Sequence, residues 1–199
     1  MRNPIVVGER VYLRPPEPDD AEAIARVYAH ETDDWIDDFG RYPMSPISFK
    51  KWIEDSADES TPDSLTLHSC LIETDELIGW VGLFGINYVN RTAETYSYFA
   101  PGKWREHGYG TESKHLLLAY CFDHLQLYIL QSYVFGSNER SAAALRRQGY
   151  QPAGTLRLDG PRRGEYLDAW AFDIKRSEWL AAHEEWHRRR AESTGASGQ

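Results

Sequence analysis

Arg105-Glu106-His107-Gly108-Tyr109-Gly110-Thr111 is the stretch whose residue types and spacing come closest to a ligand-binding motif. Two glycines let a backbone pass close to a ligand with no Cβ in the way. The stretch lies between a strand-like run ending at Phe99 and an apolar helical run, Leu116 to Phe122. A helix beginning there presents N–H groups without intrahelical partners, and its dipole favours an anion. A diphosphate fits that chemistry. The two common glycine-rich nucleotide loops do not match: no lysine follows Gly110, and Ser113 stands where the dinucleotide fingerprint needs a third glycine. A plain strand-to-helix turn is the alternative reading of the same letters.

Asn138-Glu139-Arg140-Ser141, an alanine-rich run through Leu145, and Gly149-Tyr150 read as one short helix between strands. Asn138 suits the N-cap and Gly149 the residue after the C-cap, so capping alone explains both. Ser141 is equally explained by satisfying first-turn N–H groups. His183-Glu184-Glu185-Trp186-His187 has the spacing of a helical zinc pair. It falls on a charged helix near the end of the chain with no later ligand candidate, so an amphipathic helix is the stronger reading and no metal is expected. Cys70 and Cys121 form neither a ligand spacing nor a disulfide framework, and read as buried thiols. The acidic run Glu31 to Asp38, with Asp33, Asp34 and Asp37 around Trp35, has the chemistry to orient a cation. A solvated charged face is its plainer interpretation.

These groups need elements to hold them. Apolar alternation predicts strands near Val11–Arg14, Leu65–Ile72, Ile78–Ile86, Thr92–Phe99, Tyr128–Phe135, Tyr150–Leu158 and Tyr166–Ile174. Helical spacing fits Asp19–His30, Ser48–Asp55, Thr111–Leu125, Asn138–Gln148 and Ser177–Glu192. The irregular alternation implies an α/β fold in three layers, a mixed sheet of about seven strands with helices on both faces. With 199 residues, 41% hydrophobic, the chain fills one core, and residues 1–192 are expected to form a single domain with a disordered tail at 193–199. Asp55–Asp63 reads as a solvated loop. A net charge of -9 argues against nucleic-acid binding. The absence of a long apolar segment argues against a membrane span and for a cytoplasmic protein.

Taken together, the Arg-x-x-Gly-x-Gly turn and the Asn-x-x-Ser helix closing on Gly149-Tyr150 resemble the GNAT superfamily of N-acetyltransferases, in particular its RimJ/RimL-type branch. The resemblance runs from about Glu9 to Asp173. Gly8 to Arg14 is similar to the branch's opening strand, Leu77 to Gly82 to its third, Ala93 to Pro101 to its fourth, and Gly164 to Asp168 to its closing strand.

The resemblance implies acetyl-CoA as cosubstrate and an amine as acceptor. Main-chain groups of Arg105, Glu106, His107, Gly108, Tyr109, Gly110 and Thr111 would hold the diphosphate. Tyr98, Phe99 and Ala100 would pair with the pantetheine arm, in a slot opened where the fourth and fifth strands splay after Pro101. Asn138 would bond the arm. Ser141 would supply a proton to the leaving thiolate, because Leu145 stands where many relatives have tyrosine.

Glu94 matches a glutamate of this branch's fourth strand and is the first candidate for general base; alternation puts Glu94, Tyr96 and Tyr98 on one face. Asp159 and Glu165 are the reserves. Gly160, beside Asp159, occupies the position where RimL carries a glutamate, a departure that leaves the base open. Tyr96, Asp33, Asp34, Trp35 and Asp37 would meet the acceptor: a protein N-terminus, a polyamine, an aminoglycoside or another cationic amine. A non-catalytic CoA-binding sensor and transfer of a longer acyl group are the alternative functions. Monomer and homodimer both remain open.

Overall fold

In the computed structural model the described residues are 1–29, 44–56, 62–99, 104, 107–136, 138–162 and 165–196. One eight-stranded sheet runs through them, in the order β1-β2-β3-β4-β5-β6-β8-β7. Its strands are β1 (Val6–Val7), β2 (Val11–Arg14), β3 (Leu65–Leu71), β4 (Leu77–Asn87), β5 (Thr92–Phe99), β6 (Ile129–Phe135), β7 (Gln151–Arg162) and β8 (Glu165–Lys175). The helices are α1 (Ala21–Ala29), α2 (Pro46–Ser56), α3 (Tyr109–Ala119), α4 (Glu139–Arg147) and α5 (Arg176–Ala196). Seven of the strands were expected. The eighth, β1, has two residues, too few to give a period, and is fixed by pairing with Leu13 and Tyr12.

Strand alternation sorts the side chains into two cores. Leu13, Leu67, Val81, Leu83, Ala93, Leu130, Val134, Phe172 and Ile174 point to one face. There they pack with Leu117 and Leu118 of α3, Ala142 and Leu145 of α4, and Trp179 of α5. On the other face Trp80, Tyr96 and Tyr98 meet Ile24 of α1 and Phe49 and Ile53 of α2. A buried polar cluster fastens this second layer. Asp20, just before α1, bonds Arg14 of β2 at 2.6 and 2.7 Å and His68 of β3 at 3.0 Å. Burial alone would raise the Asp20 carboxyl; the bonds from Arg14 and His68 outweigh it and hold it far below the usual range.

Every neighbouring pair of strands is antiparallel except β5 and β6. Their parallel ladder covers only Thr92 to Glu94 against Ile129 to Gln131. Beyond it hydroxyl groups occupy the gap. Thr95 Oγ1 donates to the Gln131 carbonyl (3.2 Å) and Ser132 Oγ to the Thr95 carbonyl (3.1 Å). With the Thr95 proton so used, the buried Tyr150 O–H donates to Thr95 Oγ1 at 2.6 Å. The splay of the fourth and fifth long strands therefore starts at Thr95, well before Pro101, which lies outside the described residues.

Candidate active site

Phe99 at the end of β5 is in contact with the first turn of α3. A Cβ at Gly110 would sit 3.1 Å from the Phe99 ring, so glycine is needed there for close approach. Gly108 serves a different purpose: at φ 79 and ψ 3 it is the left-handed N-cap of α3, with open space around it apart from Arg10. Glycine at the N-cap has no side chain to bond the first-turn N–H groups, which point out of the N-terminal end of the helix.

Arg10 and Glu112 hold the turn in place. The Arg10 guanidinium lies 4.7 Å over the Tyr109 ring and donates to the His107 carbonyl at 2.9 Å. Glu112, 1% exposed, accepts from the main-chain N–H groups of Glu9 (2.9 Å) and Arg10 (2.8 Å). It also accepts from the side chains of Arg10 (2.8 Å) and of Arg190 on α5 (2.9 Å). Burial pushes the Glu112 carboxyl up, but these donors win and leave it below the ordinary glutamate range.

Glu94, Tyr96 and Tyr98 share the face that carries α1 and α2, with Glu94 in the last rung of the β5–β6 ladder. Tyr96 lies flat across β4: its hydroxyl is 2.6 Å from Thr66 Oγ1 on β3, and it covers Gly82, whose added Cβ would fall 2.4 Å from it. Tyr98 stacks on Trp80 at 4.6 Å and on Tyr28 at 5.9 Å, and Tyr28 stacks on Phe49 at 5.3 Å. Glu94 and this aromatic stack thus lie on the same face of the sheet.

Residues 10–151 match the family model of the acetyltransferase (GNAT) domain. The chain belongs to the GNAT family of N-acetyltransferases. It is similar to spermidine N(1)-acetyltransferase of Escherichia coli strain K12, 28% identical over 174 residues that span 87% of this chain and 90% of the relative. The fold is shared with RimJ of Mycobacterium smegmatis in complex with CoA-disulfide, at a TM-score of 0.78, 22% identity and 90% coverage of each chain. Spermidine N-acetyltransferase of Vibrio cholerae, solved with CoA and spermine, gives a TM-score of 0.76 at 21% identity, covering 87% of this chain and 99% of that one.

Within this GNAT fold, the helix that follows each prong of the β5–β6 fork begins at its open end. Turn and α3 follow β5; Asn138 and α4 follow β6. Asn138 Oδ1 accepts the Ser141 N–H at 3.1 Å, so Asn138 is the N-cap of α4. That bond engages the amide oxygen of Asn138 and not its Nδ2 donors. Of the two reserve carboxylates, Glu165 is not brought to Glu94. Glu165 is exposed at the tip of the β7–β8 hairpin, eight residues along β8 from Asp173 (173 minus 165). Asp173 shares the row of Gln131 and Glu94. At ~3.3 Å per residue, that is ~26 Å along the strand. Asp159 lies in a stretch of β7 where the register shifts between Leu156 and Gly160, beside Leu158 at φ 51; its side chain lies outside the described residues.

Ala100, Arg105 and Glu106 of the turn, and Asp33, Asp34, Trp35 and Asp37 of the acidic run, also lie outside the described residues. Tyr28 and Met44, which flank the acidic run, pack into the aromatic layer over the Glu94 face. Both cysteines are buried and free, and burial pushes the Cys121 thiol up to about 12, so it is not a thiolate at neutral pH. His183 and His187 pair with each other at 3.1 Å on α5. Among the described residues no three His, Cys, Asp or Glu side chains are grouped to hold a metal.

Sequence reasoning missed Arg10, Glu112 and Lys114. Glu112 to His115 are polar residues in succession, yet all four are buried. Periodicity gave no signal for that; the one hint was Gly8, where a Cβ would fall 2.9 Å from Glu112 Oε1.

Proposed function

We propose that this chain transfers the acetyl group of acetyl-CoA to a primary amine of a cationic acceptor, by direct attack on the thioester. The reading is carried by the β5–β6 fork, which has an uncapped glycine turn beyond one prong, Asn138 beyond the other and Glu94 at its root. The N–H groups of Tyr109, Gly110 and Thr111, with the turn before them, take the diphosphate. The pantetheine arm enters the fork as an added strand along the Tyr98–Phe99 prong, with Asn138 across from it.

An alkylammonium has a pKa of ~10, so the acceptor must lose a proton before its nitrogen can attack. Glu94 receives that proton, directly or through a water. The nitrogen lone pair forms the new bond to the carbonyl carbon and the C–S bond breaks; the departing thiolate takes a proton from Ser141, and the second proton that the nitrogen sheds as it becomes an amide returns to Ser141. A main-chain N–H of the β5 prong stabilises the oxyanion between these steps. The aromatic wall of Tyr98, Trp80 and Tyr28, together with the acidic run from Glu31 to Asp38, suits a polyamine or a protein N-terminus.

The test presents purified protein and acetyl-CoA with spermidine, an aminoglycoside and a peptide bearing a free N-terminus, and follows thiol release by the rate and the acetylated product by mass. Turnover with at least one cationic amine is expected. Calorimetric binding of CoA with no thiol released to any amine would replace the enzyme with a CoA-binding sensor. No heat from CoA at all would remove the cosubstrate assignment.

A further inference from the structure

Lys114 is 1% exposed, in the second turn of the helix that carries the glycine turn. Of its polar neighbours on α3, Glu112 is matched by Arg10 and Arg190 and Ser113 by Ser69 at 2.6 Å, while both ring nitrogens of the buried His115 lack a hydrogen bond among the described residues. Burial keeps His115 neutral at pH 7, so of these two Lys114 is the one that carries a charge. Among the described residues it makes no salt bridge, and its ammonium instead faces the Tyr150 ring, 5.7 Å from the centroid. The Tyr150 hydroxyl bonds Thr95, the residue next to Glu94 at the root of the fork. Three groups act on the ammonium or face it: the Cys121 thiol, Tyr150 and the Glu94 carboxylate. The thiol and the phenol are both pushed up by burial and stay neutral at pH 7. Glu94 is the anion among them.

We propose that Lys114 is a positioning residue of the reaction: an ammonium beneath the β5–β6 fork whose charge controls the ionisation of Glu94 across the sheet. The inference rests on Glu94 as the group that accepts the amine's proton. A buried ammonium without a close counterion costs stability, and a methionine of similar volume would fill the space better. Burial brings Lys114 down to about 7. In weak acid its positive charge therefore keeps Glu94 ionised and able to act. As pH rises through neutrality Lys114 gives up its proton, and Glu94 becomes the stronger base.

The experiment compares kcat/KM against pH for wild type, Lys114→Met, Glu94→Gln and the double variant, with melting curves and CoA calorimetry on each. Lys114→Met should move the acid limb up by about half to one pH unit. That is a three- to tenfold loss at a fixed pH well down the acid limb with little loss at about pH 8.5, and CoA affinity within about twofold. Its Tm at pH 7 should rise by a few degrees. The sign follows from linkage: the unfolded lysine holds its proton up to about 10.5 and the folded one only to about 7, so the wild-type penalty is full below pH 7 and fades toward 10.5.

In the Glu94→Gln background the Lys114 substitution should leave the pH profile alone. An unmoved acid limb in Lys114→Met, or a lowered Tm, overturns the inference while leaving Glu94 as base. A wild-type profile in Glu94→Gln overturns both. Lys114→Gln is the second variant should methionine prevent folding.

Discussion

Glu112 accepts from three main-chain N–H groups and two guanidiniums, so this one side chain joins α3 to the β1–β2 connection and to α5. A neutral amide in its place keeps the shape but puts a donor where an acceptor was and removes the charge from both arginines. Glu112→Gln should cost ~2–4 kcal/mol of stability and weaken CoA binding, both read from melts with and without ligand. The pH dependence has a definite sign. A carboxyl held below its unfolded value of 4.5 stabilises the fold above that pH, and the contribution is lost as pH falls through the folded value. Between about pH 6 and 3 the wild-type Tm should therefore fall more steeply than that of Glu112→Gln. At this scale the glycines were legible, because their backbone freedom is written in the residue type. Arg10, Glu112 and Lys114 were not, since a charged residue on a helix discloses nothing about which tertiary neighbour covers it.

The elements were legible where their periods were long enough to count: β2 through β8 and all five helices lie within a few residues of the expected spans. The fork was expected but was assigned to proline. Its position follows instead from Thr95, Ser132 and Tyr150, residues far apart in the chain whose hydroxyls meet only after folding. Thr95→Val should strand the buried Tyr150 hydroxyl, costing ~1–3 kcal/mol, and reduce CoA affinity. Adding Tyr150→Phe to that variant should restore part of the Tm. If the two losses simply add in a double-mutant cycle, the hydroxyl pair does not hold the fork.

For the whole molecule, the three-layer architecture and its family were readable because turn, fork strands and capped helix occur in a fixed order. Acceptor identity was not, since the same fold serves many amines. Charge gives one handle: a protein of net charge -9 attracts a polycation over distances that salt shortens. Raising ionic strength from about 0.05 to about 0.5 M should lower kcat/KM for spermidine several-fold and leave a neutral, small primary amine nearly unaffected. Equal sensitivity of both would argue against electrostatic capture. Acetyl-CoA is itself an anion meeting this negative molecule, so overall charge does not favour its binding, and the proposed diphosphate site relies on local N–H groups instead.

The Thr95 and Ser132 hydroxyls each bond a main-chain carbonyl of the opposite strand where β5 and β6 part. In the proposed reaction these bonds hold the root of the fork open between turnovers, so the berth for the next cosubstrate need not be rebuilt.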